Sequence, residues 1–480
     1  MTKTSKNPET VKYNFDEIVS RWGTESVKWD MCERGVLPMW VADMDFKAAP
    51  AIREALQKRL DHGIFGYELV PDDYFTVQEE WFSSRHGWSG LTRETVIPTT
   101  GVIAAYSAAI KAMTVPGDKV IVFTPCYNAF FPAIRNNKCV QLDCPLHYEN
   151  GLWSIDWADF EAKAASARVL LFCNPHNPVG RVWTRSELER VGEICLMNNV
   201  FVISDEIHCE LTYPGHDYTP WATLPEDMVL NSVTCMSPTK PFNIAGIQIA
   251  NIYAKDPAVL AKMDRAINDN ECCDVNVFGV TALKAAYGAS GEWLDELRKY
   301  LYENARTVYC FLEDELPQVV ASPLEGTYLM WLDFSNLFQV KEGLSDALGE
   351  FLEHDCGLKL SVGTIYGPVG EGFMRLNIAC PRSVLLEGLQ RLVAGIRFLM
   401  KPRGGCCHGG EGEGGHCCHH GEGHEHGECC HGEGHGEHDG EHCCRHGEGH
   451  GDGGHECCHG NGECCEKEGS GSRETQTPEN

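Results

Sequence analysis

Three short runs carry residue types that together could do one kind of chemistry: Asn174-Pro175-His176-Asn177-Pro178-Val179-Gly180, then Ser204-Asp205-Glu206-Ile207-His208, then Ser237-Pro238-Thr239-Lys240-Pro241-Phe242-Asn243. A lysine amine condenses with an aldehyde, an aspartate keeps a pyridine nitrogen protonated, and an asparagine amide hydrogen-bonds a ring hydroxyl. Asn177, Asp205 and Lys240, met in that order along the chain, read as a site for pyridoxal 5'-phosphate. Lys240 alone would read as a solvated surface lysine. The two preceding runs change that reading.

Something must hold these residues together, and the flanking sequence says what. Apolar, β-rich runs at 119–125, 167–175, 200–207 and 228–236 alternate with helical patterns, which predicts an α/β fold with a mostly parallel sheet. Thr184-Arg185-Ser186-Glu187 has the form of a capping box and opens a helix through about Asn198, a plausible crossover between the second and third runs. Tyr127, Asn177, Asp205 and Lys240 each lie at or just beyond the C-terminal end of a run, where open parallel sheets bind ligands. Gly101 and Val102 enter a helical stretch reaching Met113, so free backbone N–H groups there could cradle a phosphate. From about Glu292, long helical patterns flank the runs Thr327–Asp333 and Phe373–Asn377, which predicts a second, smaller α+β domain. The expected organisation is an N-terminal segment over 1–48, a large cofactor-binding domain over 49–290, a small domain over 291–402 and a tail over 403–480.

Composition excludes other classes. The 480 residues carry a formal net charge of −29, which argues against nucleic-acid or anionic-membrane partners because both demand clustered Lys and Arg. The N-terminal stretch is polar, and nowhere do about 18 apolar residues run uninterrupted. A cytoplasmic protein is expected. Of the 25 cysteines, 13 are scattered through 1–402, mostly within apolar runs where reduced Cys acts as a small hydrophobe.

The other 12 form six adjacent pairs, Cys406-Cys407, Cys417-Cys418, Cys429-Cys430, Cys443-Cys444, Cys457-Cys458 and Cys464-Cys465, inside a tail with 14 His, 23 Gly and no large aliphatic residue. No hydrophobic core can form from that composition, so the tail is expected to stay disordered unless a ligand folds it. Thiolate and imidazole at this density suit zinc, nickel, copper or cadmium. The spacing is not that of a defined zinc finger, and an acidic low-complexity tail that binds metal only incidentally is the plainer alternative.

Beyond these runs, Trp40-Val41-Ala42-Asp43-Met44-Asp45-Phe46, Phe65-Gly66-Tyr67, Thr124-Pro125-Cys126-Tyr127 and Phe242-Asn243-Ile244-Ala245-Gly246 complete a pattern. Over nearly all of residues 10–400 the chain resembles fold-type-I pyridoxal-phosphate enzymes, and among them the MalY/PatB subgroup of cystathionine β-lyases and cysteine desulfhydrases. The resemblance implies a seven-stranded sheet in the large domain and a homodimer with sites at the interface. It also implies roles: Lys240 bound covalently to the cofactor, Asp205 on the pyridine nitrogen, Asn177 on the ring hydroxyl and Tyr127 on the ring face. Gly101, Val102, Ser237 and Thr239 would hold the phosphate, and Tyr67 would reach the phosphate of the partner subunit. Arg375 would grip the substrate carboxylate with a planar fork. His208 suits the lyase branch, where aminotransferases usually carry Tyr. Gln248 stands where aminotransferases place a phosphate-binding Arg, which leaves the balance of phosphate charge open. Pro241, where Ser or Thr is common, biases Lys240 away from helical torsions.

These residues permit α,β-elimination from a sulfur-containing amino acid, with Lys240 taking the Cα proton. An aminotransferase is the nearest rival. A metal-storage or regulatory protein on a vestigial enzyme fold is the rival from another class.

Overall fold

The computed structural model describes residues 13–269 and 274–401, and the chain divides into two units, Met1–Lys401 and Pro402–Asn480. At the centre of the first unit is a seven-stranded sheet of β1 (Val96–Thr99), β2 (Lys119–Thr124), β3 (Val140–Pro145), β4 (Val169–Cys173), β5 (Phe201–Asp205), β6 (Ser232–Met236) and β7 (Ala250–Tyr253), in the order β1-β7-β6-β5-β4-β2-β3. Neighbours pair in parallel from β3 across to β6, while β7 pairs antiparallel with both β6 and β1. The ends of β2, β4, β5 and β6, the end of β1 and the start of β7 therefore share one sheet edge.

β4, β5 and β6 are buried along their whole length. Such unbroken burial fits strands covered on both faces, where each buried Val, Leu or Ile contributes roughly 1.5–3 kcal/mol. One face packs on α1 (Val102–Met113), which buries Val102, Ala105, Tyr106, Ala109 and Ile110. Across the other lies α2 (Arg185–Met197), opened by the reciprocal Thr184–Glu187 capping box and burying Leu188, Val191, Ile194 and Cys195. The apolar run 228–236 is not one strand. Glu226–Leu230 forms a short helix, with two acidic residues in its first turn after Pro225, and the strand begins only at Ser232.

A second sheet is wholly antiparallel: β8 (Val320–Ala321), β9 (Leu329–Asp333), β10 (Ser361–Val362) and β11 (Phe373–Asn377), ordered β8-β9-β11-β10. The long helices α3 (Gly291–Glu315) and α4 (Arg382–Met400) flank it in sequence. Its register sets Arg375 between Trp331 on β9 and Ser361 on β10. Gly363 follows β10 directly, and a Cβ there would run into the carbonyl oxygens of Gly370 and Phe373. Backbone cannot yield as a flexible side chain does. Gly363→Ala is expected to lower stability by about 1–3 kcal/mol, read as a reduced urea midpoint with unchanged slope; a midpoint equal to the parent's would show that this turn has room.

Candidate active site

A cavity of about 520 Å³ opens at the shared sheet edge, lined by Thr100, Gly101, Val102, Tyr127, Asn177, Asp205, His208, Thr239, Lys240 and Gln248 among others. That size suits a cofactor or a small substrate. Each residue arrives by a short path from a strand end: Tyr127 from β2, Asn177 from β4, Asp205 as the last residue of β5, and Thr239 and Lys240 from β6.

Asp205 is buried, and its Oδ1 accepts the Ile207 N–H at 3.1 Å. Loss of solvation raises its carboxyl to about 7, opposed by that hydrogen bond and by the charge of Lys240. Lys240 donates from Nζ to the Ala42 carbonyl at 2.6 Å. Burial lowers its amine to about 8, with Asp43 and Asp205 pulling upward and Arg375 downward. Burial also holds His208 neutral, at about 3, helped by the positive charges of Lys240 and Arg375. The Tyr127 phenol goes up to about 12, again mainly by burial and then by the Asp205 charge.

Asn177 and Arg375 meet directly. Arg375 Nη1 donates to Asn177 Oδ1 at 3.0 Å, while Nη2 donates to the Trp40 carbonyl at 2.8 Å and to Ser361 Oγ at 3.4 Å. The guanidinium lies over the Tyr366 ring, 4.8 Å from its centroid, so its plane is fixed from several sides. At the other end of the cavity, α1 begins at Val102, and a Cβ built on Gly101 meets nothing within 4 Å. Val102, Ile103 and Ala104, the first residues of that helix, line the cavity, which puts N–H groups without an intrahelical acceptor at its wall.

Three buried polar atoms around this space have no hydrogen-bond partner among the described residues: Tyr106 Oη, His208 Nδ1 and Arg375 Nε. Stranded donors and acceptors of this kind cost free energy unless a ligand meets them. A buried carboxylate, a buried amine, an open helix N-terminus and these orphaned groups form a set that pyridoxal phosphate fits.

Three expected residues lie outside the lining of the cavity, and of these Arg375 reaches it through Asn177. Ser237 does not line the cavity; its hydroxyl donates to the Ile249 carbonyl at 2.6 Å and accepts the Thr239 N–H at 3.0 Å. Tyr67 is fully exposed, at 101%, and lies outside the lining set. The sequence reading passed over Tyr106, Ser361, Tyr366 and the Ala42 carbonyl. Only Ala42 had a signal, through the Trp40–Phe46 run. All twelve tail cysteines fall outside the described residues, and among those described no cluster of His, Cys, Asp or Glu could hold a metal ion.

The chain belongs to the aminotransferase class I and II family, whose profile matches residues 42–392. Among curated relatives, cystathionine β-lyase PatB of Bacillus subtilis (strain 168) is 44% identical over 391 residues, spanning 80% of this chain and 100% of the relative. Protein MalY of Escherichia coli (strain K12) is 34% identical over 399 residues, spanning 80% and 99%. Of solved structures, cystalysin from Treponema denticola, which contains a pyridoxal 5'-phosphate cofactor, superposes with a TM-score of 0.77 at 35% identity, covering 81% of this chain and 99% of that one.

If burial sets the Lys240 amine, capture of pyridoxal phosphate by the apoprotein should accelerate through a midpoint near 8. Only the neutral amine attacks an aldehyde, so the rate rises with pH. Stopped-flow absorbance would show it, and a midpoint near the ordinary lysine value of 10.5 would contradict the desolvated environment.

Proposed function

We propose that the chain is a pyridoxal-phosphate-dependent carbon–sulfur β-lyase that converts a sulfur-containing amino acid to pyruvate, ammonia and a thiol or sulfide. The observation that carries this reading is the meeting, at one cavity, of the Lys240 amine, the buried Asp205 and Asn177, with Arg375 just outside the lining and bonded to Asn177. The relatives named as cystathionine β-lyases support the choice of reaction.

When bound, the cofactor supplies an electron-withdrawing ring that stabilises negative charge at the substrate Cα. Asp205 keeps the ring nitrogen protonated, a task suited to a carboxylate that burial leaves in need of a cation. Asn177 holds the ring hydroxyl, Tyr127 covers a ring face, and His208, kept neutral, lines the same wall. The α1 N-terminus at Gly101 and Val102, with Thr239, holds the phosphate; Ser237 braces Thr239. Among the described residues lining the cavity, Lys240 is the cation, so helix dipole and neutral donors carry much of the phosphate recognition in this chain.

Arg375 receives the substrate carboxylate, its Nε being free of partners among the described residues. The Lys240 amine takes the Cα proton, and burial favours its neutral, basic form. Departure of sulfur from Cβ, which leaves as the thiol or sulfide, completes the elimination, and water hydrolyses the released aminoacrylate to pyruvate and ammonia.

Tyr67 stands in an exposed apolar stretch with Ile64, Phe65 and Leu69. We assign that stretch to contact with a second copy of the chain, consistent with a homodimer in which Tyr67 reaches the partner subunit's phosphate. Among the described residues no helix is long and apolar enough to cross a membrane; a cytoplasmic location is part of the proposal. To the Cys-Cys pairs and histidines of 403–480 we assign binding of zinc, nickel, copper or cadmium, with coordination driving whatever folding occurs.

The test is pyruvate formation from cystathionine and from cysteine without a keto-acid acceptor; turnover that requires an acceptor would make the enzyme an aminotransferase. Arg375→Ala is expected to lower kcat/KM by the equivalent of about 2–4 kcal/mol, and an unchanged value would remove Arg375 from the site. Truncation after Pro402 is expected to leave that activity in place while abolishing most zinc or cadmium binding in equilibrium dialysis. Equal metal stoichiometry with and without the tail would refute the metal assignment.

A further inference from the structure

Five successive backbone carbonyls, from Trp40 to Met44, accept hydrogen bonds from side chains. Trp40 O accepts from Arg375 and from Ser361 Oγ (2.9 Å), Val41 O and Asp43 O each from Asn377 Nδ2 (2.6 Å), and Met44 O from Asn243 Nδ2 (2.9 Å). The central carbonyl, that of Ala42, accepts twice: from Lys240 Nζ at 2.6 Å and from the Tyr328 hydroxyl at 2.9 Å. Clamped on both sides by Asn377 and Arg375, the strip has little freedom to follow Lys240 if the amine moves.

Tyr328 is fully buried just before β9, its ring edge-on to His208 at 6.2 Å between centroids. Burial drives its phenol well above the ordinary range, so it is a permanent donor. Its hydroxyl proton points at the carbonyl that also holds the Lys240 amine. Two donors on one oxygen each reduce the negative charge available to the other, and the phenol's positive end opposes a second positive charge alongside.

We infer that Tyr328 is a positioning residue for Lys240: by sharing the Ala42 carbonyl it loosens that carbonyl's hold on the amine and favours the neutral form that accepts the substrate proton. This rests on the proposed reaction, in which Lys240 takes the Cα proton. The other charged or titratable groups facing the amine are Asp43 from the strip, Asp205 at the end of β5, Arg375 on β11 and His208 in the turn after β5. Removal of the Tyr328 hydroxyl alone leaves all four in place.

The experiment uses Tyr328→Phe holoenzyme with L-alanine, which has no leaving group at Cβ, in deuterated water. The Cα–H bond breaks, the proton goes to Lys240 Nζ and the electron pair stays with the amino acid; a solvent-derived deuteron on Nζ then remakes the bond. Exchange followed by NMR is expected to slow by about fivefold to tenfold with its dependence on alanine concentration unchanged. A second measurement needs no turnover: the midpoint of pyridoxal-phosphate capture by the apoprotein should move to higher pH in Tyr328→Phe, because the Ala42 carbonyl then holds the ammonium form more tightly. A capture midpoint equal to the wild type's overturns the assignment, whatever the exchange rate. Absence of exchange in the wild type would instead overturn Lys240 as the base, and the capture midpoint alone would then decide the role of Tyr328.

Discussion

Burial of Asp205 at the end of a fully covered parallel strand is the constraint from which the rest of the site follows. A carboxylate there costs free energy until a cation is provided, and burial raises it to about 7. The facing amine of Lys240 feels the same lack of solvent and falls to about 8. The two groups therefore reach neutral pH with their charges only weakly favoured. A cofactor with a protonatable ring nitrogen and an aldehyde relieves both at once. Other elements serve this arrangement: the parallel strands bring the ends of β4, β5 and β6 to one edge, and the second sheet delivers Arg375 through the β9–β11–β10 register.

What the sequence made legible was local. Asn177 and Lys240 follow their strands by a few residues and Asp205 ends its own, and the strands announce themselves as apolar runs between helical patterns, so order along the chain became proximity at a sheet edge. The capping box at Thr184–Glu187 was legible for the same reason. Strand direction was not. Nothing in Ala250–Tyr253 says that this strand runs against its neighbours, because alternation of residue types carries no polarity. Nor could an apolar run distinguish Glu226–Leu230 as helix from the strand that follows.

The residues missed share a different cause: they act through backbone or across long sequence separations. Ala42 contributes a carbonyl, which no side-chain motif encodes, and its partners Lys240 and Tyr328 lie about two hundred and three hundred residues away. Ser361 and Tyr366 matter because they hold Arg375, a fact of register rather than of sequence. The resemblance places Ser237 at the phosphate, and in the structure its hydroxyl bonds Ile249 and Thr239. A hydroxyl next to a site in sequence can equally well lock the turn that forms it.

The central claim is that the buried amine facing Asp205 is the group that bonds the cofactor. Borohydride reduction of the native holoenzyme, followed by peptide mapping, tests it most directly. The account predicts a pyridoxyl group on the peptide containing Lys240 and on no other; a pyridoxyl group fixed to a different lysine would contradict it.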